Sequence, residues 1–297
     1  MPIHDDLGTR MKTFYEQIPK TKLMRRTPVI IRIDGKAFHT FTRGFQKPFD
    51  EVLIQTMQET TKYLCENIQG CVLGYTQSDE ISLVLIDYQR FETSAWFDYE
   101  IQKMCSIAAS MATMAFNKCF AKNITDWISK NAPSFHEAWH NPEYETLYHA
   151  YLNASKKGAM FDARVFNIPK EEVTNCIYWR QLDASRNSIQ MVGQDNFSHK
   201  ELQNKSCNDI QDMLKTQKGI NWNDFPTYLK RGSCCIKEDY FIPEDELHEN
   251  HRNNLQPRTI DPDEDEYGVW RSRWIVDKEI PIFNGEGRDY IEKFVMI

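Results

Sequence analysis

The chain has 297 residues, 41% of them hydrophobic, and 36 Lys and Arg against 43 Asp and Glu give a formal net charge of −7. That length supports two modest domains, or one domain with a large appendage. The apolar fraction is enough for a real core, and the acidic balance argues mildly against binding a phosphate backbone. No run of apolar residues is long enough for a transmembrane helix. The N-terminus has no apolar h-region and carries Asp5, Asp6 and Glu16, which suits neither a signal nor a transit peptide, so a cytoplasmic protein with no membrane partner is expected. The eight cysteines contain no CxxC and read as reduced apolar fillers rather than zinc ligands.

In chain order, Leu7, Met11, Phe14 and Ile18 recur at helical spacing, and Pro19 limits that helix. From Lys12 to Lys47 nine basic residues face only Glu16 and Asp34, a bias that suits polyphosphate or an RNA backbone. Val29 to Ile33 is a short β-branched strand that stops at Asp34-Gly35. A helix is expected from about Pro48 to Asn67. The runs Cys71–Tyr75 and Ile81–Ile86 flank a polar turn and read as a hairpin. Trp96 to Phe120 reads as a long helix whose Ala108, Ala109, Ala112 and Ala115 permit close packing on a sheet. Residues 131–158, rich in His, Asn, Tyr and Pro, read as an excursion or loop, and His136, His140 and His149 lack ligand spacing. A strand returns at MFDARVFNI. Residues 170–215 read as mostly helical, with Trp179 and Trp222 as core aromatics in preference to base-stacking platforms. Lys237 to Glu266 holds eleven acidic residues against three basic ones, and should lie away from any RNA track or gate it. WRSRWIVDKEIPIF closes the chain as one or two strands.

Strand, helix, hairpin, helix, strand is the order of a ferredoxin-like antiparallel sheet with helices packed on it, an α+β fold. The division expected is a catalytic core with an N-terminal helix over 1–135 and an extension over 136–297. The extension returns a strand to the sheet, then supplies a helical region and the acidic segment. No P-loop or dinucleotide fingerprint is present. In such a sheet the first and third strands are adjacent, so Asp34, at the end of one, meets Asp79 and Glu80, in the turn of the hairpin. Carboxylates converging there make a hard oxygen site for Mg²⁺ bound with substrate phosphates. Gly35, without a Cβ, lets backbone approach an ion or phosphate. The plainer reading is that Asp34-Gly35 and Ser78-Asp79-Glu80 are only turns.

The run IRIDGKAFHTFTRGFQKPFD, Ile31 to Asp50, resembles the signature of the tRNA-His guanylyltransferase superfamily. GYTQSDEISLVL, Gly74 to Leu85, resembles its second metal motif, and the likeness continues in YWRQLDASRNSI, FSHKEL and GINWNDFPTYLKRGS. The resemblance implies a polymerase-type palm that adds nucleotides in the 3′-to-5′ direction with two Mg²⁺ ions and ATP, GTP or other NTPs as substrates. By this likeness Asp34 and Asp79 are metal-binding aspartates and the Gly35 carbonyl also touches a metal. Ser78 and Glu80 complete the second motif. Lys47 contacts the triphosphate, Phe38 and His39 surround the nucleotide, and Arg32, Lys36 and Ala37 fall in the same nucleotide-binding stretch. A tRNA partner and a homotetramer built as a dimer of dimers are implied as well. Where eukaryotic members carry a HINNLYN-type stretch, this chain reads ASRNSIQ, Ala184 to Gln190. That is similar to the bacterial and archaeal branch, which makes template-dependent additions and repairs 5′-truncated tRNA.

Arg25 and Arg26, before the first strand, are candidates for the RNA backbone or triphosphate. Arg186 and Asn187 are candidates for the RNA 5′ end, and His199 and Lys200 for RNA or phosphate. The function expected is templated repair of tRNA 5′ ends through 5′-adenylylation. Addition of G₋₁ to tRNA-His, a palm-type nucleotide cyclase and a non-catalytic RNA-binding palm are the alternatives.

Overall fold

The computed structural model describes residues 6–131, 142–247, 255–261 and 264–297. The chain opens with helix α1 (Asp6–Met11), continued by a wider helical turn over Lys12–Glu16. Strand β1 (Val29–Gly35) follows, then the one-turn α2 (Phe38–Phe41) and α3 (Glu51–Asn67). The hairpin β2 (Cys71–Gln77) and β3 (Glu80–Leu85) leads to the long α4 (Ile101–Asn131), then α5 (Pro142–Lys157) and β4 (Phe161–Asn167). Beyond these come α6 (Lys170–Asn196), α7 (His199–Leu202), α8 (Cys207–Met213) and α9 (Thr227–Arg231). Strands β5 (Ser233–Pro243), β6 (Gln256–Asp261) and β7 (Glu264–Asp277) precede the closing helix α10 (Asp289–Val295). Among the described residues no helix is long and apolar enough to cross a membrane.

One seven-stranded sheet runs in the order β4-β1-β3-β2-β5-β7-β6. Its first four strands, with α3 and α4, are the ferredoxin-like unit expected from the sequence, and all the pairings are antiparallel. Alternation along β1 sorts its side chains. Val29, Ile31 and Ile33 enter the core under α3 and α4, while Ile30 enters a second core with Val173 and Ile177 of α6. The small residues of α4 do what their size suggests: Ala108 and Ala112 are fully buried against the sheet side. Asp50 caps α3, accepting from the Leu53 N–H at 2.9 Å, and Tyr151 of α5 donates its hydroxyl to the same carboxylate at 2.8 Å.

Several expectations need correction. Part of the segment read as irregular is helix α5, anchored where Tyr151 packs on the rings of Phe45 and Trp127 at 5.0 and 5.2 Å. His136 and His140 lie outside the described residues. The chain closes on a helix, α10, whose Ile291 and Val295 join the second core. The stripe Leu7, Met11, Phe14 and Ile18 is exposed along its length, so its periodicity reports a helix but not a buried face. Trp179 is 51% exposed and is not a core residue, whereas Trp222 packs with α6 and α8 and donates its indole N–H to Ser188 at 3.0 Å.

β5 pairs with β2 only over Ser233–Ile236; from Lys237 to Pro243 it pairs with β7 alone. Ser233 sits opposite Thr76, beside the β2–β3 turn, and Ile236 sits opposite Leu73. The three-stranded arm β5-β7-β6 therefore leaves the sheet at the end opposite that turn.

Candidate active site

The antiparallel register of β1 and β3 sets Asp34 directly across from Glu80. The β2–β3 connection is the two-residue turn Ser78-Asp79, with Ser78 at φ 50°, a positive value that matches the strand twist in tight hairpins but that non-glycine residues seldom adopt. The turn folds over the end of β1: the Gly35 N–H donates to the Asp79 carbonyl at 3.1 Å. Asp34 and Asp79 thus meet at one edge of the sheet. Ala37, also at positive φ, turns the chain into α2. This folds Phe38 back so closely that a Cβ on Gly35 would lie 2.3 Å from the ring. Gly35 is therefore needed for packing as well as for approach to a ligand.

This edge opens on a cleft of about 450 Å³ lined by Gly35, Ala37, His39, Lys47, Ser78 and Asp79, with Phe38 and Met191 among its walls. Burial, with the charge of Asp34 adding to it, pushes the Asp79 carboxyl above its ordinary range; the Ser78 hydroxyl, donating at 3.0 Å, and a backbone N–H pull the other way. No cation is among the groups acting on Asp79, and among the described residues neither Asp34 nor Asp79 forms an ion pair. Two carboxylates sharing an edge with no ion-pair partner among the described residues fit a hard divalent cation. Among the described residues no three His, Cys, Asp or Glu side chains are arranged around a metal. The other ligands of such an ion would be carbonyl, phosphate and water oxygens, as Mg²⁺ prefers.

Glu80 has a different setting. Both its oxygens accept from Arg180 of α6, Nε to Oε1 and Nη2 to Oε2, each at 2.6 Å. Arg180 Nη2 also reaches Asp183 at 2.8 Å. Arg180 and Asp183 lie inside the motif YWRQLD, yet carried no role in the sequence analysis. On a helix, charged residues three apart read as a solvated pair, and only the tertiary contact to Glu80 distinguishes them.

The family profile described as tRNAHis guanylyltransferase (Thg1) matches residues 8–169. The chain belongs to this family. It is similar to a bacterial tRNA(His) guanylyltransferase-like protein solved in complex with ATP, at 40% identity over 97% of this chain and 98% of that one, with a TM-score of 0.71. A structure of such a bacterial protein in complex with GTP gives 38% identity over 99% and 100% of the two chains, with a TM-score of 0.70. A probable tRNA(His) guanylyltransferase of Drosophila melanogaster is 27% identical, over 73% of this chain and 69% of that one. The palm-like α+β architecture and the family resemblance read from the motifs are thereby shown.

The remaining family-derived positions separate in space. Ala37, Phe38, His39, Lys47 and Ser78 line the cleft. Arg32 lies on the α6 face of β1, its guanidinium 5.6 Å from the Trp179 ring, and Lys36, just past the end of β1, is exposed, its N–H donating to the Met160 carbonyl at 2.8 Å. Asn187, with Ala184, Ser188 and Met191, lines a smaller cavity of about 90 Å³ behind Ser78, so the stretch that departs from the eukaryotic pattern sits next to the Ser78-Asp79 turn. Arg186 projects from the same helix and pairs with Asp183. His199 lines a further cavity of about 580 Å³ with Gln190, Gln194 and Lys205, and Lys200 follows it on α7. Arg25 and Arg26 precede β1, at the end remote from Asp34, which lies roughly 17 Å of strand beyond Val29. Arg25 is engaged there with Asp87 at 2.6 Å and Asp98 at 3.5 Å.

Proposed function

We infer that this protein adds nucleotides in the 3′-to-5′ direction to the 5′ end of tRNA, using the acceptor strand as template. The observation that carries this reading is the meeting of Asp34 and Asp79, with no ion-pair partner among the described residues, at the mouth of a cleft that holds Lys47 and Ser78. The likeness over the full chain to a bacterial relative in complex with ATP supports it. Two Mg²⁺ ions, held by Asp34, Asp79 and the Gly35 carbonyl, would supply charge neutralisation at the transferring phosphoryl group. Lys47 sets a point charge against the triphosphate. Ala37, Phe38 and His39 wall the nucleotide, with Arg32 and Lys36 flanking it. Arg186, Asn187, His199 and Lys200 hold the RNA. Arg25 and Arg26 sit far from this edge, and any contact they make is with a distant part of the RNA.

The chemistry runs in two transfers. The 5′-phosphate of the RNA attacks the α-phosphorus of ATP, forming a P–O–P bond and releasing pyrophosphate. The 3′-hydroxyl of an NTP then attacks the activated 5′-phosphorus, loses its proton and expels AMP. An RNA with a 5′-triphosphate enters at the second transfer and releases pyrophosphate instead. Both transfers stabilise similar charge, so one carboxylate edge serves both. The working unit is a homotetramer, and the reaction is cytoplasmic.

The test offers 5′-monophosphorylated, 5′-triphosphorylated and 5′-truncated tRNAs with each labelled NTP, with and without ATP. Templated addition to the truncated tRNA, dependent on ATP for the monophosphate only, is expected. Faster addition of G opposite a non-pairing base would favour G₋₁ addition, cyclic product without RNA extension would favour a cyclase, and RNA binding without turnover would favour a non-catalytic palm.

A further inference from the structure

We propose that Arg180 is a positioning residue that holds the Ser78-Asp79 turn and the RNA-facing side of α6 in one register, through a relay that starts at a buried clamp on Glu80 and branches at Asp183 toward the surface. The proposal rests on the reading of Asp34 and Asp79 as metal ligands.

The relay has three links. Arg180 grips Glu80 with both arms of its fork at 2.6 Å. The same guanidinium donates to Asp183 Oδ2 at 2.8 Å. Asp183 in turn accepts from Arg186 on Oδ1 and from Asn187, at 3.5 Å, on Oδ2. Glu80 follows Asp79 in the chain and faces Asp34 across the ladder, so the clamp acts one residue from one carboxylate and one register step from the other. Positions 180, 183, 186 and 187 share a helix face; the helix itself therefore carries a displacement of Glu80 to Arg186.

Geometry, more than stability, is what this pair supplies. Glu80 and Arg180 are 7% and 8% exposed, and desolvation at such sites offsets most of the attraction, so an apolar pair of similar volume stabilises a fold about as well. A bidentate fork adds a fixed angle between guanidinium and carboxylate planes. The turn needs such a hold, because Ser78 sits at φ 50° and a backbone of that kind persists only where its surroundings fix it. Trp179 lies against the guanidinium at 4.5 Å and leaves it little room to swing.

Mn²⁺ binding by calorimetry, without substrate, tests this alongside kcat and KM for tRNA. The variants are Asp34→Asn/Asp79→Asn, Arg180→Lys, Arg180→Met/Glu80→Met and Asp183→Asn. Arg180→Lys keeps the charge and loses the fork; it is expected to bind Mn²⁺ about tenfold more weakly, the scale on which partners of metal ligands act, and to lower kcat. The apolar double variant should melt near the parent yet bind Mn²⁺ no better than Arg180→Lys. Asp183→Asn should leave Mn²⁺ binding little changed and raise the KM for tRNA, because it frees Arg186 and Asn187 while Glu80 stays clamped. Parental Mn²⁺ affinity in Arg180→Lys overturns the proposal, and if the double variant fails to fold, that single variant decides. Parental affinity in Asp34→Asn/Asp79→Asn would instead overturn the metal reading itself, and the proposal with it, by a different readout.

Discussion

Replacing Gly35 with alanine tests whether close packing builds the carboxylate edge. The added Cβ would sit 2.3 Å from Cδ2 and 2.5 Å from Cε2 of Phe38. These are ring atoms, and the ring is wedged against Phe41, Phe116 and Phe161 at centroid distances of 5.1, 5.5 and 5.2 Å. To restore ordinary contact at about 3.5 Å the ring must retreat by roughly 1 Å into a packed cluster. Overpacking of this kind costs about 1–3 kcal/mol, which for a chain of this size lowers Tm by about 2–8 °C. Gly35 also follows Asp34 and donates to the Asp79 carbonyl, so the same shift moves both carboxylates. Nucleotide transfer should fall by about tenfold or more, or about 1.4 kcal/mol of transition-state stabilisation. Thermal melts and kcat/KM are to be measured on Gly35→Ala, Phe38→Leu and the pair. The smaller side chain makes room for the Cβ, so the pair should be less destabilised than the sum by about 1 kcal/mol. Additivity within about 0.5 kcal/mol, or parental Tm and rate in Gly35→Ala, refutes the reasoning.

Asp34→Asn and Asp79→Asn should each lower both transfers by at least about a hundredfold, equivalent to about 2.7 kcal/mol; single-turnover assays of adenylylation and of NTP addition check this, and a variant within tenfold of the parent contradicts it. Lys47→Ala should raise the KM for NTP about tenfold, roughly 1.4 kcal/mol, with tRNA affinity unchanged; a loss of tRNA affinity at constant KM would move Lys47 to the RNA track. Arg25→Ala removes the charged partner of Asp87 Oδ2, whose side chain is 1% exposed, and leaves Oδ1 accepting from the Arg26 N–H at 2.8 Å; it should cost about 1–3 kcal/mol of stability with no change in the salt dependence of tRNA binding, and a slope flatter by roughly 0.7–0.9 in log K against log salt would show instead that Arg25 holds a phosphate. Burial pushes the Asp50 carboxyl above its ordinary 3.8, against hydrogen bonds from Leu53, Tyr151 and Gln46. The folded state therefore holds that proton more tightly than the unfolded chain, and the stability it contributes is complete below the unfolded value and is lost as pH rises through the folded one. Asp50→Asn keeps a good helix cap and should flatten the profile of stability from 3.8 upward; parallel profiles for parent and variant argue against it.

The ferredoxin-like unit was legible because β1, β2 and β3 are built on apolar runs, β4 alternates, and its helices carry period-matched faces. Once the strand order is known, antiparallel register alone brings Asp34 to Glu80. Helix α5 was not legible in the same way: its aromatic residues Tyr144, Tyr148 and Tyr151 keep helical spacing, but His, Asn and Pro around them mask it, and its buried anchor is a tyrosine that needs Asp50 as a partner. Trp179 misled for the opposite reason. Size and apolarity usually mean burial, and here the ring is held at the surface between Arg180 and Arg32. The relay through Arg180 lies within a recognised motif, yet its meaning is tertiary: nothing local to α6 says that Glu80, a hundred residues earlier, supplies its partner.

Charge along the chain and charge in space differ in an instructive way. The basic stretch Lys12 to Lys47 looks like one surface in sequence, but β1 crosses the protein between its halves. Lys47 lines the cleft beside the Asp34 edge, while Arg25 and Arg26 stay at the far end, where Arg25 neutralises Asp87. The acidic stretch is carried away by the same logic. β5 leaves β2 at Ile236 and runs on to Pro243 with β7 as its only partner among the described strands, about 23 Å of strand pointing away from the turn. β6 and the acidic start of β7 lie farther out on that arm. A net charge of −7 therefore says little about the field at the cleft. Repulsion between exposed charges is largely screened beyond about 8 Å at physiological ionic strength, and the acidic strands stand farther off than that. The same separation leaves Lys47, on the cleft wall with Asp79, as a nearby cation for a phosphate chain approaching that edge. The proposed binding of RNA at this edge is thus compatible with an acidic protein: the strand that delivers its carboxylates also divides its basic residues, and the arm that carries most of its surplus acid leaves from the opposite end of the sheet.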